Sequence, residues 1–267
     1  MNRWKTRIID SLVELRARAD AWDDLWERSD VAIPTTRAAL LAQWIEHFAP
    51  NKPIAILTIE RDGQYVAGLP LVGPRSRLAP IAEMPTCDWS SSADLLLDPS
   101  ADEDAVLDRL AAMLFKLPWP IVRFDHMEIE TPRWLAFRAA IERNGRDIIC
   151  RPQFETGLID IDHDWAEYEA GRSKNLRKNL RRTARRLSEL GPFEAVIHRD
   201  IAAHCIDSLV TTGFEVEDRG WKGVAGTSVI RSPGMLAFFV EHARLLAARG
   251  MLELLFLEHR GFPIAFE

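Results

Sequence analysis

Ile56-Leu57-Thr58-Ile59-Glu60-Arg61-Asp62-Gly63-Gln64-Tyr65-Val66-Ala67 decides the fold, because its pattern returns as Leu254-Leu255-Phe256-Leu257-Glu258-His259-Arg260-Gly261-Phe262-Pro263-Ile264-Ala265. At one constant offset Glu60 falls on Glu258, Gly63 on Gly261 and Ala67 on Ala265. Each copy reads as an apolar strand, a tight turn holding a charge and a glycine, and a returning apolar strand, which is a β-hairpin. A self-similar element at long spacing predicts two related domains. The same offset sets Glu267 opposite Leu69, whereas the first copy runs to about Asp160. Roughly ninety residues of a second copy are therefore expected past Glu267.

Outward from the first hairpin, apolar residues at helical spacing predict helices over residues 12–28 and 36–48, the latter capped by Thr35 or Thr36. The pattern then predicts a short strand near 78–84, a polar loop through 86–92, a helix over 102–116, a strand at 121–124, a helix at 134–143, and strands near 146–150 and 157–161. The second half restarts with one helix from about Trp165 to Leu190, whose apolar stripe is Leu176, Leu180, Ala184 and Leu187. Gly191-Pro192 ends it. A strand at 193–198, a helix at 201–216, a charged, glycine-rich connector over 217–228 and a helix at 235–249 lead to the second hairpin. The expected organisation is an α/β protein with mixed sheets, with residues 1–161 as one domain and 162–267 as the beginning of a second.

At 267 residues, 47% hydrophobic and 28% charged, the chain has the composition of a globular protein. No stretch reaches the roughly 18 charge-free apolar residues of a membrane span, and Met1-Asn2-Arg3-Trp4-Lys5-Thr6-Arg7 opens no signal-peptide core. A cytoplasmic location is expected. Cys87, Cys150 and Cys205 are far apart and odd in number, which fits a reducing compartment. The histidines form no H-E-x-x-H or other compact ligand set, so no metal is expected. Trp22, Trp26, Trp44 and Trp134 lie within helical patterns and are expected in the core.

The net charge of −6 conceals a local excess of cations. Between Gly171 and Arg186 stand Arg172, Lys174, Arg177, Lys178, Arg181, Arg182, Arg185 and Arg186 with no acid, leaving 26 Lys and Arg against 40 Asp and Glu elsewhere. The basic helix, over 171–190, reads either as a solvated face or as an anion platform. In the second reading Lys174, Arg177 and Arg181 bind a phosphorylated or nucleotide-linked substrate. Nucleic acid is disfavoured because the acidic remainder repels a polyanion. In Glu217-Asp218-Arg219-Gly220-Trp221-Lys222-Gly223, Glu217 has the chemistry of a general base, Trp221 of a cover for an acceptor ring, and Lys222 of a neutraliser for a phosphate or developing oxyanion. The alternative is a connector with a core tryptophan and solvated charges.

Ser173-Lys174-Asn175-Leu176-Arg177-Lys178-Asn179-Leu180-Arg181-Arg182, then the block 217–223, then Gly226-Thr227-Ser228 and residues 257–265, resemble in this order the tandem GNAT proteins known as CelD-like cellulose-biosynthesis acyltransferases, themselves similar to FemAB aminoacyltransferases. The resemblance implies two GNAT-like halves, the second incomplete here, and an acyltransferase that uses acyl-CoA or acetyl-CoA as co-substrate. Its acceptor would be an amine or hydroxyl of an envelope or exopolysaccharide precursor, a small molecule or glycan precursor, attacked directly on the thioester. GNAT enzymes hold the CoA pyrophosphate where a strand leads through a glycine-containing loop into a helix, whose free N–H groups meet the anion. In the second half that stretch would lie past Glu267. In the first half the equivalent residues, 83–100, contain no glycine, so this half is expected to be a degenerate copy. The alternative is a non-catalytic anion-binding or scaffold protein on the same fold. The last hairpin strand is expected to be an exposed sheet edge through which the protein associates.

Overall fold

The computed structural model describes residues 4–74, 80–157, 159 and 161–267. Two compact units divide the chain, Met1–Ile149 and Cys150–Glu267.

The first unit runs β1 (Trp4–Ile9), α1 (Leu12–Ala17), α2 (Ala19–Arg28), α3 (Ala38–Phe48), β2 (Ile54–Arg61), β3 (Gln64–Val72), β4 (Ile81–Glu83), β5 (Thr86–Cys87), β6 (Ser90–Ser91), β7 (Leu96–Leu97), α4 (Glu103–Leu114), β8 (Ile121–Arg123) and α5 (Pro132–Arg143). Its main sheet has the order β1-β2-β3-β4-β8, with β7 also on β3. Only β4 and β8 pair in parallel, so the sheet is mixed, as the sequence pattern predicts.

Helices cover both faces of this sheet, which is why β2 reads as an unbroken apolar run rather than an alternation. Ile54 and Ile56 face Trp22, Leu25, Leu41 and Trp44, while Leu57 and Ile59 face Leu107, Leu110, Trp134 and Phe137. Trp22, Trp44 and Trp134 are buried and Trp26 is partly buried, as expected of core tryptophans. Gly68 in β3 lets Trp22 lie on the strand, since a Cβ there would stand 2.6 Å from the indole. Among the buried polar groups, Asp94 accepts from Arg133 Nη2 at 2.7 Å, Trp134 Nε1 at 2.8 Å and its neighbour's Leu95 N–H at 2.7 Å. Burial works against the Arg133 charge, and Asp94 and Asp30 outweigh it, holding the guanidinium above its ordinary value.

Several boundaries differ from the sequence expectation. The helix expected over 12–28 is two, broken at Arg18. The helix expected from Thr36 begins at Ala38, because its cap comes from another helix. Asp23 Oδ1 accepts the Ala38 N–H at 2.8 Å, while the Thr36 hydroxyl bonds to Ile33 O in a 3-10 turn. The strand expected near 78–84 is β4, and Leu78 lies outside the described residues. No strand forms over 146–150; of 157–161, Leu158 and Asp160 lie outside the described residues and the other positions are not strand. Strand propensity without a paired neighbour does not make a strand.

The second unit runs α6 (Trp165–Gly171), α7 (Lys174–Leu190), β9 (Phe193–His198), α8 (Ala203–Asp218), α9 (Trp221–Ala225), α10 (Met235–Ala247), β10 (Leu254–His259) and β11 (Phe262–Phe266). The single helix expected over 165–190 is split at Arg172-Ser173, where the Ser173 hydroxyl accepts the Leu176 N–H at 3.2 Å. β11-β10-β9 form an antiparallel sheet, with Ile206 and Val210 of α8 and Ala243 of α10 packed on Leu254 and Phe256. Gly213 of α8 admits the Phe266 ring, which a Cβ would overlap. β11 is an edge strand carrying exposed Phe262 and Ile264.

The repeated sequence is a repeated geometry. In the first hairpin Ile59 pairs with Ala67 and Glu60 with Tyr65, with a bulge between; in the second, Leu257 pairs with Ala265 and Glu258 with Pro263, with the same bulge. Both turns use positive φ at both central residues, 53° and 92° at Asp62-Gly63 and 53° and 76° at Arg260-Gly261. That is the backbone of a type I′ turn, and it requires the glycine. In each unit the hairpin's first strand also pairs antiparallel with the strand that precedes three helices, β1 with β2 and β9 with β10.

Candidate functional site

Glu217 lies in the last turn of α8 rather than in a connector, since that helix extends to Asp218. The sequence expectation ended the helix at Val216 because Gly220 follows closely; the structure uses Gly220 only to turn into α9. Glu217 Oε1 accepts from Lys222 Nζ at 2.5 Å, and Oε2 accepts the Val229 N–H at 2.9 Å. The adjacent Asp218 accepts from Ser228 Oγ at 2.5 Å and from Arg231 Nε at 2.6 Å. The bonds from Arg231, then that from Ser228, hold the Asp218 carboxyl below the usual carboxylate range. Consecutive carboxylates thus tie the segment 228–231 to the end of α8. Ser228 is fully buried and Val229 nearly so.

Trp221 and Lys222 open α9. Trp221 is 74% exposed, so it is not the core tryptophan of the bland alternative. Its open ring face is free to lie against a ligand. Lys222 is half-exposed and points its ammonium at Glu217. Each Glu217 oxygen is thus engaged by one donor and keeps a further lone pair. Arg219 Nη2 donates to Pro263 O at 2.9 Å, which fastens the α8–α9 turn to β11.

Lys174, Arg177 and Arg181 lie on α7. Lys174 is exposed, Arg181 is exposed and paired with Glu169 at 3.0 Å, and Arg177 is half-buried. Arg177 Nε is covered and has no hydrogen-bond partner among the described residues. The helix is anchored at its far end, where Leu190 O accepts from Arg260 Nη2 at 2.9 Å and lies 3.2 Å from His259 Nε2. Cations at a helix C-terminus meet the negative end of its dipole. The structure gathers Glu217, Trp221 and Lys222 into one turn. No hydrogen bond or ion pair joins them to α7 among the described residues.

Sequence reasoning missed Asp218, Ser228 and Arg231. No periodic signal links positions ten and thirteen apart, and only the fold of 219–231 brings them together. A groove of about 590 Å³ lies beside this segment, lined by Asp207, Arg231, Gly234, Val240 and Arg244 among others. Its arginines are already paired, Arg231 with Asp218 and Arg244 with Asp207. In the first unit, the stretch 83–100, which contains no glycine, includes the β5–β6 hairpin, where Thr86 and Cys87 pair with Ser91 and Ser90. Among the described residues, no group of three or more His, Cys, Asp or Glu side chains converges as a metal site, and no helix is long and apolar enough to cross a membrane.

The solved structures to which the chain is similar include two acetyltransferase-fold proteins. One is an aminoglycoside acetyltransferase, meta-AAC0020, from an uncultured soil metagenomic sample in complex with sisomicin, at 11% identity over 58% of this chain and 97% of that one, with a TM-score of 0.34. The other is a tandem GNAT protein from the clavulanic acid biosynthesis pathway, without AcCoA, at 15% identity over 96% of this chain and 75% of that one, with a TM-score of 0.39. No curated protein matches the sequence. Residues 174–267, from the first residue of α7 onward, match the family described as Acetyltransferase (GNAT) domain. On that match residues 174–267, most of the second unit, are similar to a GNAT acetyltransferase domain, and acyl transfer is the chemistry the match supports.

Proposed function

We propose that the protein moves an acyl group from acyl-CoA to an amine or hydroxyl of an envelope or exopolysaccharide precursor, in the cytoplasm of a bacterium. The family match over 174–267 carries the acyl-transfer part of this reading. The acceptor class rests on the resemblance of the basic block and of residues 217–223 to the CelD-like proteins, together with the exposed Trp221 ring. In this reading the first domain, 1–161, supports the fold and the second, from 162, does the chemistry. Lys174, Arg177 and Arg181 hold an anionic part of the acceptor, and Trp221 covers its ring. Lys222 leaves Glu217 to meet the developing oxyanion, and the released Glu217 carboxylate takes the proton of the attacking amine or hydroxyl. The new bond forms between that nitrogen or oxygen and the thioester carbonyl carbon, the C–S bond breaks, and the CoA thiolate takes back the proton from Glu217 and departs as the thiol.

Calorimetry of the full-length protein with acetyl-CoA, followed by thiol release in the presence of amino-sugar and nucleotide-sugar acceptors, tests the reading. Saturable acetyl-CoA binding and acceptor-dependent thiol release are expected. Absence of acyl-CoA binding overturns it in favour of an anion-binding scaffold.

A further inference from the structure

We propose that α7 is a membrane-surface helix, which lays its leucine stripe into the interface of an anionic lipid bilayer and sets its lysines and arginines against the headgroups. At roughly 100° per residue, Leu176, Leu180 and Leu187 fall within about 40° of one another on the helix. Arg177 and Arg186 stand at the two borders of that stripe, and Lys178, Arg181 and Arg185 crown the opposite face. This distribution, an apolar stripe flanked by cations with low overall hydrophobicity, is that of a helix lying in the plane of a membrane interface.

The fold leaves the helix open for that contact. No residue of α7 is buried, and Leu176 and Leu180 are 42% and 48% exposed. The neighbouring α6 adds rings suited to the headgroup level. Trp165 is 67% exposed with its ring 5.4 Å from that of Tyr168, and the Arg172 guanidinium lies 4.4 Å over Tyr168. The bonds to Leu190 O from the β10–β11 turn hold the helix at one end and present the rest of it.

Charge selects the occupant. A nucleic acid would contact the cations and leave the leucines in water. A second copy pairing stripe to stripe would set the Arg177 and Arg186 borders against like charges. An anionic bilayer meets both the stripe and the cations at once. The proposal gives Lys174, Arg177 and Arg181 to the headgroups in place of the acceptor anion, and leaves the chemistry at Glu217 untouched.

The full protein is to be co-sedimented with vesicles of phosphatidylcholine alone and of phosphatidylcholine containing about one third phosphatidylglycerol. Binding to the anionic vesicles only, reduced by salt, is expected. Leu176→Ser/Leu180→Ser and Arg182→Glu/Arg185→Glu should each weaken it about tenfold or more. With the unmodified protein, brominated acyl chains should quench tryptophan fluorescence, a readout that needs no variant. The proposal is overturned by no binding, by no quenching, or by leucine variants that bind as well as the parent. Tighter binding of DNA or RNA than of vesicles, or a dimer that the leucine changes dissociate, likewise overturns it.

Discussion

Gly223 sits so close to the Asp218 carbonyl that a methyl group in its place would overlap the oxygen. This contact seats α9 on the end of α8 and sets the reach from Lys222 to Glu217. Gly223→Ala must push the two helices apart. A loss of about 1–3 kcal/mol is expected from such overpacking, read as a lower urea midpoint for the second unit with an unchanged slope.

Glu217→Gln separates proton transfer from anchoring. Glutamine keeps an acceptor for the Val229 N–H but loses the ion pair to Lys222. If Glu217 is the general base, kcat should fall about 10²- to 10⁴-fold while KM for acyl-CoA stays constant. A fall in melting temperature with kcat unchanged would assign Glu217 to anchoring alone.

Asp94 holds the first unit together from within its core. Asp94→Ala leaves the buried Arg133 guanidinium and the Trp134 N–H without their acceptor, although Asp30 still reaches Arg133 Nη1 at 2.8 Å. The cost should be about 3–5 kcal/mol. Asp94→Leu/Arg133→Met removes both charges and should cost less than the single change, a comparison that chemical denaturation makes directly.

His242 on α10 packs beside Phe238 and Phe239, with ring centroids 5.5 and 6.5 Å away, and burial lowers its pKa. Its midpoint in an NMR titration should lie below the ordinary value of about 6.5. The unfolded chain therefore binds the proton first as pH falls. The stabilisation is complete above the unfolded value and is lost as pH drops through the folded one. His242→Gln should flatten the stability profile in that window, and an unchanged profile would refute the assignment.

The hairpins were legible because a turn is local chemistry. Asp62-Gly63 and Arg260-Gly261 supply two positive φ angles within two residues, and the flanking apolar runs need only each other. Helix starts were less legible where a cap came from afar. The Thr36 hydroxyl was a plausible cap by sequence, and Asp23, on another helix, took the role. The candidate site was legible as a block of unusual residues, but not in its wiring, since Glu217 and Asp218 find Lys222, Val229, Ser228 and Arg231 only after the chain has turned twice.

The sequence by itself determined the repeated hairpin, the α/β order, the buried tryptophans of the first unit and the amphipathic charge pattern of α7, because each follows from periodicity or from the backbone demands of one or two residues. Tertiary structure alone decided that residues 146–150 form no strand, that Leu176 and Leu180 of the α7 stripe stay nearly half exposed, and that the Glu217 carboxylate is held at both oxygens. Each depends on which distant group arrives as a neighbour, and no spacing along the chain encodes that arrival.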